Sequence, residues 1–286
     1  MILMFFASCK TLKLTGEYID NPPSVVPKVA LSTDINRNNW QHLDPINDSV
    51  PGMSVDKAYK ELIKDSKGET VVVAVLDTGI DIKHEDLKGR IWSNNKEIPG
   101  NNIDDDKNGF IDDVYGWNFL GEAYYEQLEL TRLLGKREDF PEKEEAQKDY
   151  DKRLAEARGE ETLKYYLNYD FKGRTTGDDP DNFNQTYYGD NKVEHSREDE
   201  SHGTHVAGII AATRNNNLGM KGVANNVEIM TLRVVPYGDE YDKDVALGII
   251  YAADNGADII NTSFGKGFSP HSKKVRDAIA YAALKN

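Results

Sequence analysis

Six consecutive apolar residues, Val71-Val72-Val73-Ala74-Val75-Leu76, run straight into Asp77-Thr78-Gly79. Strict alternation would mark a strand with one wet face. An unbroken, β-branched run of this length is what a strand covered on both faces of a parallel sheet requires. The carboxylate then falls at the carboxyl end of the strand, where doubly wound sheets open onto a ligand crevice. Two uses of Asp77 fit that position: a group that takes part in chemistry, or a turn aspartate that caps the next segment.

Downstream, Val206 to Ala212 has helical spacing, Val227 to Val235 reads as a strand, and Asp244 to Asn255 as a helix closed by Gly256. Ala257 to Asn261 is another buried strand, and Lys273 to Leu284 a last helix. Upstream, Val55 to Lys64 has helical spacing, ended by Lys67-Gly68. Alternating strands and helices make βαβ crossovers, so the predicted fold is α/β, a doubly wound and mostly parallel sheet with helices on both faces. A chain of 286 residues, 38% of them hydrophobic, suffices for one such core.

The pattern breaks between Gly121 and about Arg197 into charge-rich sequence, with helical stretches near Glu122 to Lys136, Glu142 to Arg158 and Glu160 to Asn168. This is read as a charged helical insertion at about 121–197. Leu128, Leu130, Leu133 and Leu134 are placed to pack one helix on the body, while the Glu/Lys alternation is that of a solvated face without a catalytic role.

Acidic residues outnumber basic ones, 49 to 35, for a formal charge of -14. Such a chain repels phosphate backbones, which excludes nucleic acid as a partner, and attracts divalent cations. Its single cysteine, Cys9, excludes an intrachain disulfide. Cys9 follows an apolar run, and Phe6-Ala7-Ser8-Cys9 resembles the end of a bacterial lipoprotein signal. That resemblance implies an exported protein held at the membrane by a lipid on Cys9. The alternative is a secretory signal with an incidental cysteine. The organisation is then an export signal over 1–9, a polar tether over 10–39 carrying Pro22-Pro23 and Pro27, and a folded part over 40–286.

A second block, Ser201-His202-Gly203-Thr204-His205-Val206-Ala207-Gly208, opens a helix. The positive end of the helix dipole disfavours imidazolium, which suits His202 as a general base, and the two glycines permit close approach. Metal ligation by His202 and His205 is the competing use. There is no His-Glu-x-x-His pattern, so His205 is read as a helix-packing residue.

Val75-Leu76-Asp77-Thr78-Gly79-Ile80-Asp81 and His202-Gly203-Thr204-His205-Val206-Ala207-Gly208, in that order, resemble the Asp and His signatures of the subtilase family of serine peptidases. Asn261-Thr262-Ser263-Phe264-Gly265 resembles the substrate-binding strand of that family. The resemblance runs from about Trp40 to the C-terminus, less the insertion. It implies a serine-type endopeptidase in which Asp77 orients the imidazole of His202, and His202 takes the proton of a serine hydroxyl and passes it to the leaving amine. It also implies that Ser263, Phe264 and Gly265 pair with an extended peptide or protein substrate and border its S1 pocket, with residues near Gly238 on the opposite edge. For Phe264 an ordinary strand end is the alternative.

The oxyanion Asn and the Gly-Thr-Ser-Met-Ala-type serine turn of the family have no match within residues 1–286, and Ser263 sits in the wrong block to be the nucleophile. The expectation is a C-terminally incomplete catalytic domain that is nearly inactive as it stands. A non-catalytic, peptide-binding pseudoprotease and a surface interaction protein acting through the insertion are the other readings.

Two segments point to structural Ca2+. Asn215 to Gly222 resembles the calcium loop of the family, which implies ligands from Arg214, Asn216, Leu218, Met220 and Asp86. Separately, Asp104 to Asp113 has D-x-D-x-N-G spacing, with Asp104, Asp106 and Asn108 at positions 1, 3 and 5, a turn at Gly109, and Asp112 at position 9. Tyr115 stands where an EF-hand loop carries glutamate. Hard oxygen donors on a tight loop suit Ca2+, and an acidic turn without an ion is the alternative.

Overall fold

A computed structural model describes residues 39–64, 66, 68–194, 197 and 200–285. The expected export signal with Cys9, and the expected tether up to residue 38, lie outside the described residues. Contacts divide the chain into two units, Met1–Ala58 and Tyr59–Asn286. In the first, a 3-10 turn (Trp40–His42) and a single helical turn, α1 (Val55–Ala58), are organised around Asp44. Its carboxylate accepts the Asn47 N–H at 2.7 Å and the Lys57 ammonium at 3.3 Å. These donors, the Asn47 amide foremost, hold its pKa down at about 2.

The second unit is built on a parallel sheet of order β2-β3-β1-β4, with β1 (Val71–Asp77), β2 (Gly116–Asn118), β3 (Val227–Arg233) and β4 (Ile259–Thr262). Among the described residues five α-helices accompany it: α2 (Glu129–Gly135), α3 (Lys143–Glu156), α4 (His202–Ala211), α5 (Asp242–Asp254) and α6 (Ser272–Lys285). Because successive side chains of a strand point to opposite faces, β1 feeds two cores. Val73 and Val75 pack with Ile80 and with Ala207 and Ala211 of α4. Ala74 and Leu76 join Val245 and Ile249 of α5 and Ala278 of α6. Both faces of the sheet are therefore covered, as the apolar run demands.

The segment over 121–197 departs from expectation at its start. Helix α2 begins at Glu129, not near Glu122. Tyr124 to Gln127 instead lies extended along the segment after β3: Tyr237 N–H donates to Tyr124 O at 2.7 Å and Glu126 N–H to Tyr237 O at 2.7 Å. The third expected helix shrinks to a π-helical turn, Thr162–Tyr166. Leu130 and Leu134 of α2 pack with Ala146 and Tyr150 of α3 and with Leu167, so these elements share a small core of their own. Strand β2 was not signalled in the sequence. It has three residues, too few to show a period.

Candidate active site

Asp77 ends β1 in a closed environment, with its side chain 2% exposed, while the His202 side chain at the first position of α4 is 55% exposed. Nδ1 of His202 stands 2.7 Å from Oδ1 of Asp77. A carboxylate only accepts, so Nδ1 carries a proton, and in the neutral ring the lone pair is then on Nε2. Oδ1 also accepts the Thr78 N–H at 2.8 Å. Oδ2 is buried without a hydrogen-bond partner among the described residues. A general base held in this tautomer by a buried acceptor is equipped to remove a proton from a hydroxyl placed against Nε2.

Several contacts fix the approach of α4 to β1. Gly203 N–H donates to Thr78 Oγ1 at 3.2 Å, and Asp81 N–H to Thr204 Oγ1 at 2.9 Å. A Cβ on Gly203 would stand 2.2 Å from Gly79 O, so only glycine lets the helix come this close. Behind the pair, Arg233 lies opposite Asp77 in the β1/β3 register and is 1% exposed. Its guanidinium donates to Thr78 O at 2.9 Å, to Glu200 Oε1 at 2.9 Å and to Ala123 O at 2.8 Å. Glu200 and Arg233 were missed in the sequence. An Arg at a strand end and a Glu two residues before His202 look like ordinary surface charges until the fold buries both. His205, expected to pack, is exposed: the face of α4 that meets the sheet is set by Ala207 and Ala211, and His205 lies off it.

The residues after β4 stand beside this pair. Leu76 and Thr262 are register partners, which brings Ser263 next to the level of Asp77. Ser263 Oγ accepts from Asn261 Nδ2 at 2.8 Å. Phe264 packs against the larger core, and the space around Gly265 Cα is open to 4 Å. Among the described residues β4 is the last strand of the sheet, so its outer edge is unpaired.

A family model for the subtilase family matches residues 68–285, a span that contains the Asp77–His202 pair and all four strands. The chain belongs to the subtilase family. It is 28% identical to subtilisin-like protease 1 of Plasmodium berghei over 231 residues, 78% of this chain and 26% of that protein. Shorter matches reach 45% identity over 83 residues with a thermophilic serine proteinase of a Bacillus species and 46% over 72 residues with the cell wall-associated protease of Bacillus subtilis. Those two cover 29% and 25% of this chain, and 20% and 8% of the relatives. The chain thus spans about a quarter or less of these relatives. No helix among the described residues is long and apolar enough to cross a membrane.

The two segments expected to hold Ca2+ differ in what the fold assembles. Asp86, 5% exposed, faces the 214–220 loop: Asn216 Nδ2 lies 2.6 Å from Asp86 Oδ1, and Leu218 N–H donates to Asn216 Oδ1 at 3.0 Å. Arg214 donates from NH1 to Gly222 O at 2.7 Å, tying the loop shut across Met220.

In the second segment, ligand atoms of Glu97, Asp104 and Asp106 lie within 4.8 Å of one another. Backbone donors already fix their geometry. Asn108 N–H reaches Asp104 Oδ1 at 3.0 Å and Asp106 Oδ1 at 3.1 Å, and Asp105 N–H reaches Glu97 Oε1 at 2.9 Å. Burial, together with the neighbouring charges of Asp113 and Asp106, pushes the Glu97 carboxyl up. Three carboxylates crowded in this way fit a hard divalent cation. Asp112, expected at position 9, is turned elsewhere: its carboxylate accepts the N–H groups of Gly100, Asn101 and Asn102 at 2.8, 3.2 and 2.8 Å. Asn108 is also committed, with Nδ2 on Asp113 Oδ2 at 2.9 Å and Oδ1 accepting from Phe110 N–H at 2.8 Å. Glu97, seven residues before the acidic run, was not found from the loop spacing.

Proposed function

We propose that this chain carries the Asp and His of a serine endopeptidase, with Asp77 as the orienting carboxylate and His202 as the proton-transferring base. The observation that carries this reading is the 2.7 Å contact between an exposed imidazole and a buried carboxylate at the carboxyl end of the central strand. An extended peptide or protein substrate pairs with Ser263, Phe264 and Gly265 beyond the carboxyl end of β1, on the side that faces the segment after β3; Ser263 and Gly265 are exposed there, and a Cβ on Gly265 would meet nothing within 4 Å. The nucleophilic serine and the oxyanion donor come from sequence not matched within residues 1–286, so the base has no hydroxyl to activate and turnover by this chain alone is close to nil. Peptide hydrolysis by purified 10–286 tests this directly. Turnover that disappears in His202→Ala means that a nucleophile is already present.

Calcium is proposed as a structural cofactor at two places: Asp86 with the 214–220 loop, and Glu97 with Asp104 and Asp106. The ion would neutralise the crowded carboxylates of Glu97, Asp104 and Asp106 and the single one of Asp86, and lock each loop; it takes no part in proton transfer. Export through residues 1–9, with lipid attachment at Cys9, is likewise proposed, on the resemblance of Phe6-Ala7-Ser8-Cys9 to the end of a lipoprotein signal. Metabolic labelling with a radioactive fatty acid, lost in Cys9→Ser, tests it.

A further inference from the structure

The charged segment over 121–197 reaches the two chain segments that flank the proposed peptide cleft, and it holds both. On one side, Tyr124 to Gln127 bonds along Tyr237 to Asp239, with Asp239 N–H on Gln127 O at 3.3 Å, and Glu129 N–H donates to Asp239 Oδ2 at 2.8 Å. Gly238 is seated so tightly that a Cβ would lie 2.1 Å from Glu126 O. Arg132 completes this side, donating to Asp239 O at 2.9 Å and Glu240 O at 3.2 Å.

On the other side, Lys266 follows Gly265 directly. Its side chain is 4% exposed, and its ammonium meets three groups: Glu129 Oε2 at 2.7 Å, Glu240 O at 2.6 Å and Asp242 Oδ1 at 3.0 Å. Arg132 NH2 reaches the same Glu129 Oε2 at 2.6 Å. Two residues on, Phe268 packs into the core of α2 and α3. One buried carboxylate, Glu129, therefore joins the segment after β3 to the segment after β4 through two cations. Burial pushes Glu129 up, but the Arg132 and Lys266 charges outweigh it and keep the group ionised.

We infer that Glu129, Arg132 and Lys266 are positioning residues that set the separation of the two peptide-pairing edges, so that the 121–197 segment is a working wall of the cleft. The inference rests on the peptide-cleft reading above. An exposed solvated insertion has no reason to place an Arg, a Glu and a Lys together at 6%, 6% and 4% exposure. A brace between two strands that must accept a third does have such a reason, because strand addition works only at one spacing.

The test uses the whole chain with Glu129→Gln, which keeps the side-chain shape, and Phe268→Ala, which leaves the ion cluster in place. Backbone amide exchange reports the brace, and binding of fluorescein-labelled hexa-alanine and tri-alanine reports the cleft. In Glu129→Gln, amides of Gly238 to Glu240 and Ser263 to Gly265 are expected to exchange about tenfold faster, while those of β1 stay unchanged; in Phe268→Ala, which keeps the ions, both edges are expected to stay within about twofold of wild type. Hexa-alanine, long enough to span both edges, is expected to bind Glu129→Gln about tenfold more weakly and Phe268→Ala about as well as wild type, and tri-alanine to change by about twofold or less. A loss of folded protein alone would lower both affinities equally. Unchanged exchange at both edges or unchanged hexa-alanine affinity in Glu129→Gln, or an equal loss in Phe268→Ala, overturns the inference and leaves the peptide-cleft reading standing. If wild type binds neither peptide, that reading fails and the inference with it.

Discussion

Strand β1 and the stretch from Tyr124 to Arg132 both border the proposed peptide cleft, and they are stabilised by different means. In β1, Ala74, Val75 and Leu76 are fully buried among apolar side chains. From Tyr124 to Arg132 Leu130 packs on α3, but the contacts to the rest of the sheet unit are mainly backbone pairing and a buried ion cluster, with Glu126 at 2% and Glu129 at 5% exposure. Apolar burial leaves a period in the sequence. A charge buried against its partner leaves none, since the same letters describe a solvated helix face.

Arg132→Met separates the two regimes most strongly. Removing this cation leaves Glu129 with only Lys266, and the expected cost is about 3 to 5 kcal/mol in urea unfolding. A cost no larger than that of an exposed residue of α3 would return the segment to the solvated face that its composition describes. Leu76→Ala follows, at about 2 to 5 kcal/mol, because its side chain is wholly enclosed and the sheet cannot collapse onto the cavity. A smaller loss would mean that β1 tolerates voids and that the two-sided core is looser than its burial indicates.

The acidic loop gives a third test, through pH. Burial raises the pKa values of both Glu97 and Asp113, with the nearby Asp106 charge adding to it. A carboxyl whose pKa rises on folding holds its proton longer in the native state. Its contribution is then full below the unfolded value and falls as pH climbs through the folded one. The melting temperature of the calcium-free chain should therefore carry a component that declines as pH rises above about 4, and Ca2+ should remove it. At a free concentration about a hundred times its Kd, Ca2+ adds about 2.7 kcal/mol. No calcium effect at neutral pH, or the same effect in Glu97→Gln, would leave the loop as an acidic turn. At the weak end, Arg153→Ala removes an exposed pair with Asp149 at 2.9 Å and should cost about 0.5 kcal/mol or less.

The same contrast explains what was legible beforehand. The Val71 to Leu76 run, the helix opening at His202 and the strand over Val227 to Arg233 all carry apolar periods, and the structure places each within a few residues. Helix α2 was misplaced because Glu122 to Gln127 has helix-compatible residues yet pairs with Tyr237 to Asp239, a partner more than a hundred residues away. Glu97, Glu200, Arg233 and Lys266 were invisible for a related reason. Each matters only through what the fold buries beside it, and a lone charged residue in a sequence announces no partner.

The central claim, that Asp77 fixes the tautomer of His202, is open to one direct measurement on the chain as it is. Nitrogen-15 NMR of the His202 ring near neutral pH should show the proton on Nδ1, with a far-downfield Nδ1–H resonance that disappears in Asp77→Asn while the fold is kept. A His202 ring protonated on Nε2, with a spectrum unaltered by Asp77→Asn, would contradict the account.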